Sequence, residues 1–184
     1  MNTYDFVHLA IYAIGGEVKG KTKLQKIIYF FGVLTNMHKE LGFNPHYYGP
    51  YSSEVAAALD RLKMLDFVTE NIYSGGSLDS NGFEVARHDF SLTDEGKKIA
   101  EAKKKVYPKF WGKILDVKNQ LDSAGIRDTD YMKLSIAAKI YLIKEENNQI
   151  NLSELSERAK KFGWQIDDSQ IRESTDILTR LNLL

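Results

Sequence analysis

Cysteine is absent from the chain. That excludes disulfides, thiolate-ligated metals, iron–sulfur clusters and thiol nucleophiles, and it suits a reducing compartment such as the cytosol. Proline occurs only at 45, 50 and 108, so helix-breaking positions are few and informative. Charge of one sign is not in excess: 25 Lys and Arg stand against 25 Asp and Glu. A dedicated DNA binder usually carries a basic field, because released counterions supply most of its affinity. No apolar run approaches the ~20 residues of a membrane-spanning helix, and no basic lead precedes Asp5, so no signal peptide is expected. The expectation is a cytoplasmic chain. His8, His38, His46 and His88 lack ligand spacing, and neither Gly-x-Ser-x-Gly nor His-Glu-x-x-His occurs. The sequence therefore offers no catalytic residue, no metal site and no cofactor.

Charge by segment sharpens the picture. Residues 1–60 are neutral, 61–92 and 114–184 each carry net −2, and 93–113 carry net +4. Lys97 to Lys113 is thus the main basic stretch, with a smaller cluster at Lys19, Lys21, Lys23 and Lys26. Each reads first as a solvated helix face.

Apolar periodicity places the elements. Residues 3–14 read as a helix stopped by Gly15 and Gly16. Thr22 to Gln25 reads as a capping box. Behind it Leu24, Ile27, Ile28, Phe31 and Leu34 mark one face of a helix running to about His38. Pro45 and Pro50 keep 39–51 out of helix, with room for a short strand at 46–48. Ser52 or Ser53 caps the next helix, whose inward positions are Val55, Ala58, Leu59, Leu62 and Leu65. Runs 67–73 and 83–92 flank the turn-forming SGGSLDSNG and predict a β-hairpin with a long, flexible tip. Thr93 caps a helix, Pro108 opens another, and Ala124–Gly125 close it. Three further helices follow, over 130–146, behind an Asn151–Glu154 capping box, and behind Asp167.

Three helices, a hairpin and a capped helix form the order of a winged-helix domain. The predicted fold is mainly α with a small β-hairpin (α+β). A winged-helix-type module over 1–125 would be followed by a helical, helix-turn-helix-like module over 126–184. The string 88–96, His-Asp-Phe-Ser-Leu-Thr-Asp-Glu-Gly, is how such domains leave the wing for the next helix.

Two blocks carry a family resemblance. Gly20-Lys21-Thr22-Lys23-Leu24-Gln25-Lys26-Ile27-Ile28-Tyr29-Phe30 resembles the opening of the YwgA-like family of bacterial and archaeal proteins. Tyr47-Tyr48-Gly49-Pro50-Tyr51-Ser52-Ser53-Glu54-Val55 resembles that family's Tyr-Gly-Pro block. Both blocks also resemble the Panacea (SocA-like) antitoxin domain. The resemblance spans residues 5–100 well and the rest more loosely. The first family implies no activity; the second implies a chaperone-like hold on a partner protein. Neither supplies a catalytic residue.

Function then rests on surfaces. Phe43, Tyr47, Tyr48 and Tyr51, with Ser53, crowd a proline-stiffened connection and are the candidate partner-binding residues, because tyrosine anchors interfaces at low entropy cost. Lys23, Lys26, Arg61, Lys63 and Arg87 are the candidates for nucleic-acid contact. The helix over 52–65 opens with Ser53 and Glu54, and the segment between Ser74 and Glu84 holds Asp79 but no Lys or Arg. Both features disfavour a phosphate backbone. The expected function is a non-enzymatic regulatory or antitoxin-like protein that binds another macromolecule. A protein partner stands ahead of DNA in a transcription regulator, membranes are excluded, and a homo-oligomer is left open. A distant alternative is a nucleotide enzyme. Gly15, Gly20, Lys21 and Thr22 fit G-x-x-x-x-G-K-[ST], although no strand-terminal Asp or βα alternation accompanies them. A glycine-rich turn before a capped helix is the expected reading.

Overall fold

A computed structural model describes residues 1–78, 84–146 and 152–184. The expected Asn151 cap and the hairpin-tip residues 79–83, Asp79 among them, lie outside the described residues. Helix α1 (Thr3–Ala13) starts on the Asn2 side chain, which accepts from the Asp5 amide at 2.8 Å. It stops where Gly15 and Gly16 take φ of 97° and 83°. A three-residue strand, β1 (Glu17–Lys19), follows. Sequence periodicity gave no sign of it, because three residues carry too little alternation to register.

Helix α2 (Lys21–Leu34) corrects the expected capping box. Gly20, not Thr22, is the N-cap, and no side chain caps it. The Gly20 amide donates to His88 O at 3.0 Å as the last rung of β1, which forces the chain into helix before Thr22 can serve. The helix also ends before His38. Asn36 adopts φ 60°, and the Met37 amide closes on Gly32 O at 2.7 Å. No strand forms at 46–48; an isolated bridge joins Asn44 to Tyr51 instead. Helix α3 (Ser53–Met64) is capped by Ser52, whose Oγ accepts from the Val55 amide at 2.9 Å.

Strands β2 (Val68–Leu78) and β3 (Glu84–Leu92) pair antiparallel from Val68↔Leu92, and β1 pairs with β3 on its other side. The sheet order is β1-β3-β2. Helix α4 (Asp94–Val106) is capped by Thr93, and Pro108 opens α5 (Pro108–Ser123) at its first turn, both as expected. Gly96 is required: a Cβ there would lie 2.1 Å from Phe67 O. Helices α6 (Tyr131–Glu146), α7 (Leu152–Lys161) and α8 (Asp168–Arg180) complete the chain. Asp167 and Gln170 form a capping box on α8. The protein is thus mainly helical with a three-stranded antiparallel sheet.

One apolar core runs from Phe6 in α1 through Ile28 and Phe31 in α2 to Leu134 in α6 and Leu178 in α8. Helix α2 packs on α6, and α6 on α8, so the core is continuous across 126–129. A buried polar network fixes α4 on α1. His8, fully buried, donates from Nε2 to Gly96 O at 2.9 Å and accepts at Nδ1 from Lys103 Nζ at 3.0 Å. Lys103 also pairs with Asp5 at 2.8 Å, and Tyr107 donates to the other Asp5 oxygen. One lysine of the basic stretch is therefore half-buried and paired. Lys97, Lys98 and Lys104 pair with Asp94, Glu95 and Glu101 on the surface. No described helix is long and apolar enough to cross a membrane.

Candidate functional site

The connection between α2 and α3 is held by side chains from both α2 and the carboxyl-terminal part of the chain. Gln25 lies on the buried side of α2 and bonds Ser52 reciprocally: its Nε2 donates to Ser52 O, and the Ser52 amide donates to Gln25 Oε1, each at 3.1 Å. One residue on, Lys26 donates from Nζ to Pro50 O at 2.6 Å. Lys26 is 2% exposed, and burial together with the nearby Lys139 charge pushes its ammonium down to about 7. Ser52 Oγ, besides capping α3, donates to Leu41 O. The two sequence blocks are thus two halves of one clamp.

The carboxyl-terminal helices form the outer wall. Gly49 has φ 92°, and a Cβ there would sit 3.1 Å from both Ser135 O and Lys139 Cγ of α6. Its amide donates to His46 O at 2.9 Å, closing the turn. The same carbonyl accepts from Trp164 Nε1 at 2.9 Å. Tyr29 in α2 donates to Glu145 of α6 at 3.2 Å, and His38 pairs with the other oxygen of that carboxylate at 3.0 Å.

This frame sorts the aromatic candidates. Phe43 is half-buried, edge-on to Tyr29 with centroids 5.1 Å apart. Tyr51 is half-buried against the His46 ring. Tyr47 and Tyr48 project, 71% and 46% exposed, and pack edge to face at 4.8 Å. Ser53 is exposed at the first turn of α3 beside them in sequence. The structure therefore gathers a rigid ledge of two tyrosines rather than a four-ring patch.

The basic candidates are dispersed and engaged. Lys23 donates to Arg127 O, and Lys26 is internal, so its ammonium does not meet an external phosphate. Arg61 lies 4.9 Å over the Tyr4 ring. Lys63 is held by Asp60 and Glu70 at 2.8 and 2.7 Å. Hydrogen bonds from Lys63 and His88 hold the Glu70 carboxyl below its usual range against the burial penalty. Arg87 pairs with Asp89 at 3.0 Å and stacks on Tyr73. The glycine amides of the G-x-x-x-x-G-K-T run are also spent. Gly15 donates to Tyr12 O, Gly16 to Ile11 O and Gly20 to His88 O, so none of the three is left to cradle a phosphate. Among the described residues no group of three or more His, Asp or Glu is placed to hold a metal ion.

Sequence reasoning missed the clamp roles of Gln25 and Lys26. The signal was there: Lys26 falls in the Phe30–Val33 row at i, i+4 and i+7, and a polar residue in a buried row calls for a buried partner. The tie from Trp164 to His46 spans 118 residues and leaves no local trace.

No family model matches the chain. It is 23% identical over 163 residues to the uncharacterized protein YwgA of Bacillus subtilis (strain 168), covering 88% of this chain and 89% of that protein. The similarity therefore extends over most of the chain and is not confined to the two motif blocks.

Proposed function

We propose that this is a non-enzymatic, cytosolic winged-helix protein of a regulatory, antitoxin-like kind, and that it works by holding a protein partner on the Tyr47–Tyr48 ledge. The winged-helix reading is supported by the order helix, strand, helix, helix, hairpin, with the first strand paired to the last. The similarity of Lys23–Phe30 and Tyr48–Pro50 to the Panacea domain supports the antitoxin-like reading. The single observation that carries partner binding is the ledge itself. Two adjacent tyrosines stand exposed on a turn whose backbone is tied by Lys26 and Trp164 and closely backed by α6 at Gly49. A pre-ordered aromatic pair presents apolar area and two hydroxyls without the entropy cost of ordering a loop on binding.

DNA is the weaker reading, because all five basic candidates are buried or engaged and α3 begins with an exposed Glu54. The test co-expresses the tagged chain with the product of each neighbouring gene and with a Tyr47→Ala/Tyr48→Ala variant. A stoichiometric complex lost in the variant supports the proposal; one that survives unchanged overturns the ledge as its site. Binding of random duplex DNA at low salt, abolished by Arg61→Ala/Arg87→Ala, would move the function to DNA.

A further inference from the structure

The hairpin carries a second surface, independent of the tyrosine ledge. Strand β2 is an edge strand of the sheet, with β1 at the other edge. Phe67 O accepts from the Thr93 amide at 3.0 Å, in register with Val68↔Leu92, so Phe67 and Thr93 occupy a hydrogen-bonded position of the ladder. Alternation then turns the amides and carbonyls of Thr69, Asn71 and Tyr73 toward β3, and those of Glu70 and Ile72 outward. The far side of β3 agrees. Gly20 N donates to His88 O and Leu92 N to Gly16 O, so the even-numbered residues of β3 face β1 and the odd-numbered ones face β2. No described strand lies beyond β2.

Natural sheet edges are protected by Lys, Pro or inward charges. From Asn71 to Leu78 this edge has no charged residue and no proline. Ile72 and Tyr73 are 61% and 53% exposed, one on each face. The nearest charge in the regular part of the strand, Glu70, is turned to Lys63 and His88. An edge without charge offers nothing to select a charged foreign strand, whereas its own copy presents an identical neutral surface. The chain's net charge of zero adds no repulsion between copies.

We infer that two copies associate by antiparallel pairing of their β2 edges about a two-fold axis at Ile72, making one continuous six-stranded sheet. The axis is set at Ile72 because that register brings the two exposed Ile72 side chains together and keeps the paired stretch inside the regular part of β2, whose register shifts beyond Ser74. There the outward amide and carbonyl of Ile72 bond those of the second copy reciprocally. The two Ile72 side chains meet on one face, and each Tyr73 faces Asn71 of the second copy on the other. The association is weak, since a single strand pair buries less than a standard interface.

Sedimentation velocity across a concentration series, with amide exchange at each step, tests it. The expected result is a mass that rises from one chain to two. The Glu70 and Ile72 amides slow with concentration, while those of Asn71 and Tyr73 are slow throughout. Ile72→Pro removes an outward N–H that β3 does not use and raises the dissociation constant by at least about tenfold. Ile72→Lys brings two ammonium groups together at the axis and does the same at low salt, a second reading should the proline disturb the hairpin. A mass of one chain at every concentration overturns the inference, whether the edge stays open or a foreign strand takes it. So does a dimer that neither substitution weakens.

Discussion

Gln25 and Ser52 bond each other twice, side-chain amide against backbone peptide, across 27 residues of sequence. The pair joins the second turn of the core helix α2 to the residue just before α3. Replacing Gln25 by Ala leaves a buried N–H and a buried C=O without partners and is expected to destabilise the fold by about 1–3 kcal/mol. Urea unfolding of the variant checks this.

Three threonine or serine positions that look alike in sequence are expected to separate on mutation. Ser52→Ala and Thr93→Ala each remove an observed cap and should cost about 0.5–2 kcal/mol. Thr22→Ala removes none, because Gly20 opens α2, and should stay within about 0.5 kcal/mol of the parent. Thermal unfolding of the three variants under one buffer decides it.

His8 sets an acid limit. Burial and the facing Lys103 charge lower its imidazole to about 4 from the ordinary 6.5, against the pull of Gly96 O and Asp5. Between those values the unfolded chain binds the proton and the folded chain does not. The contribution of His8 to stability is therefore full above about 6.5 and is lost as pH drops toward 4. A His8→Asn variant should show a flatter profile over that window in urea titrations at stepped pH.

Lys26 makes the complementary prediction on the basic side. Its ammonium is held at about 7 against 10.5 in the open chain, so the unfolded state carries the extra proton between those values. Stability should rise as pH climbs through that range, by up to about 1.4 kcal/mol per unit. The rise should be smaller in Lys26→Met, which keeps only the share of the other lowered lysines, Lys23, Lys103 and Lys139, again by urea unfolding.

Gly49 and Gly76 both have positive φ, yet a Cβ meets backbone at 3.1 Å only at Gly49. Gly76→Ala should cost about 1–2 kcal/mol for the left-handed backbone alone. Gly49→Ala should cost more and should also broaden the Tyr47 and Tyr48 ring resonances, read by NMR.

Much of the fold was legible because its signals were local. Thr93, Pro108 and Asp167 act where a helix start places them, and Val55, Ala58, Leu59 and Leu62 face inward as their spacing requires, whereas Leu65, expected in the same row, is the C-cap and is exposed. The site was legible only in part. Tyr47 and Tyr48 project as a crowded aromatic loop suggests, but Phe43 and Lys26 turn inward for reasons held by distant residues, Tyr29 and Pro50. Strand β1 escaped notice because it is short and its partners on β3 lie about 70 residues away.

The wall that α6 and Trp164 raise behind the Gly49 turn has an architectural consequence. It is the mould in which the two tyrosines are cast. A fragment ending at Gly125 would keep Gln25 on Ser52 and Lys26 on Pro50, yet lose that mould. Whatever docks on the tyrosines would then have to freeze them itself, at about 1–2 kcal/mol per residue. The carboxyl-terminal helices would thereby set the affinity of the proposed partner surface without being part of it.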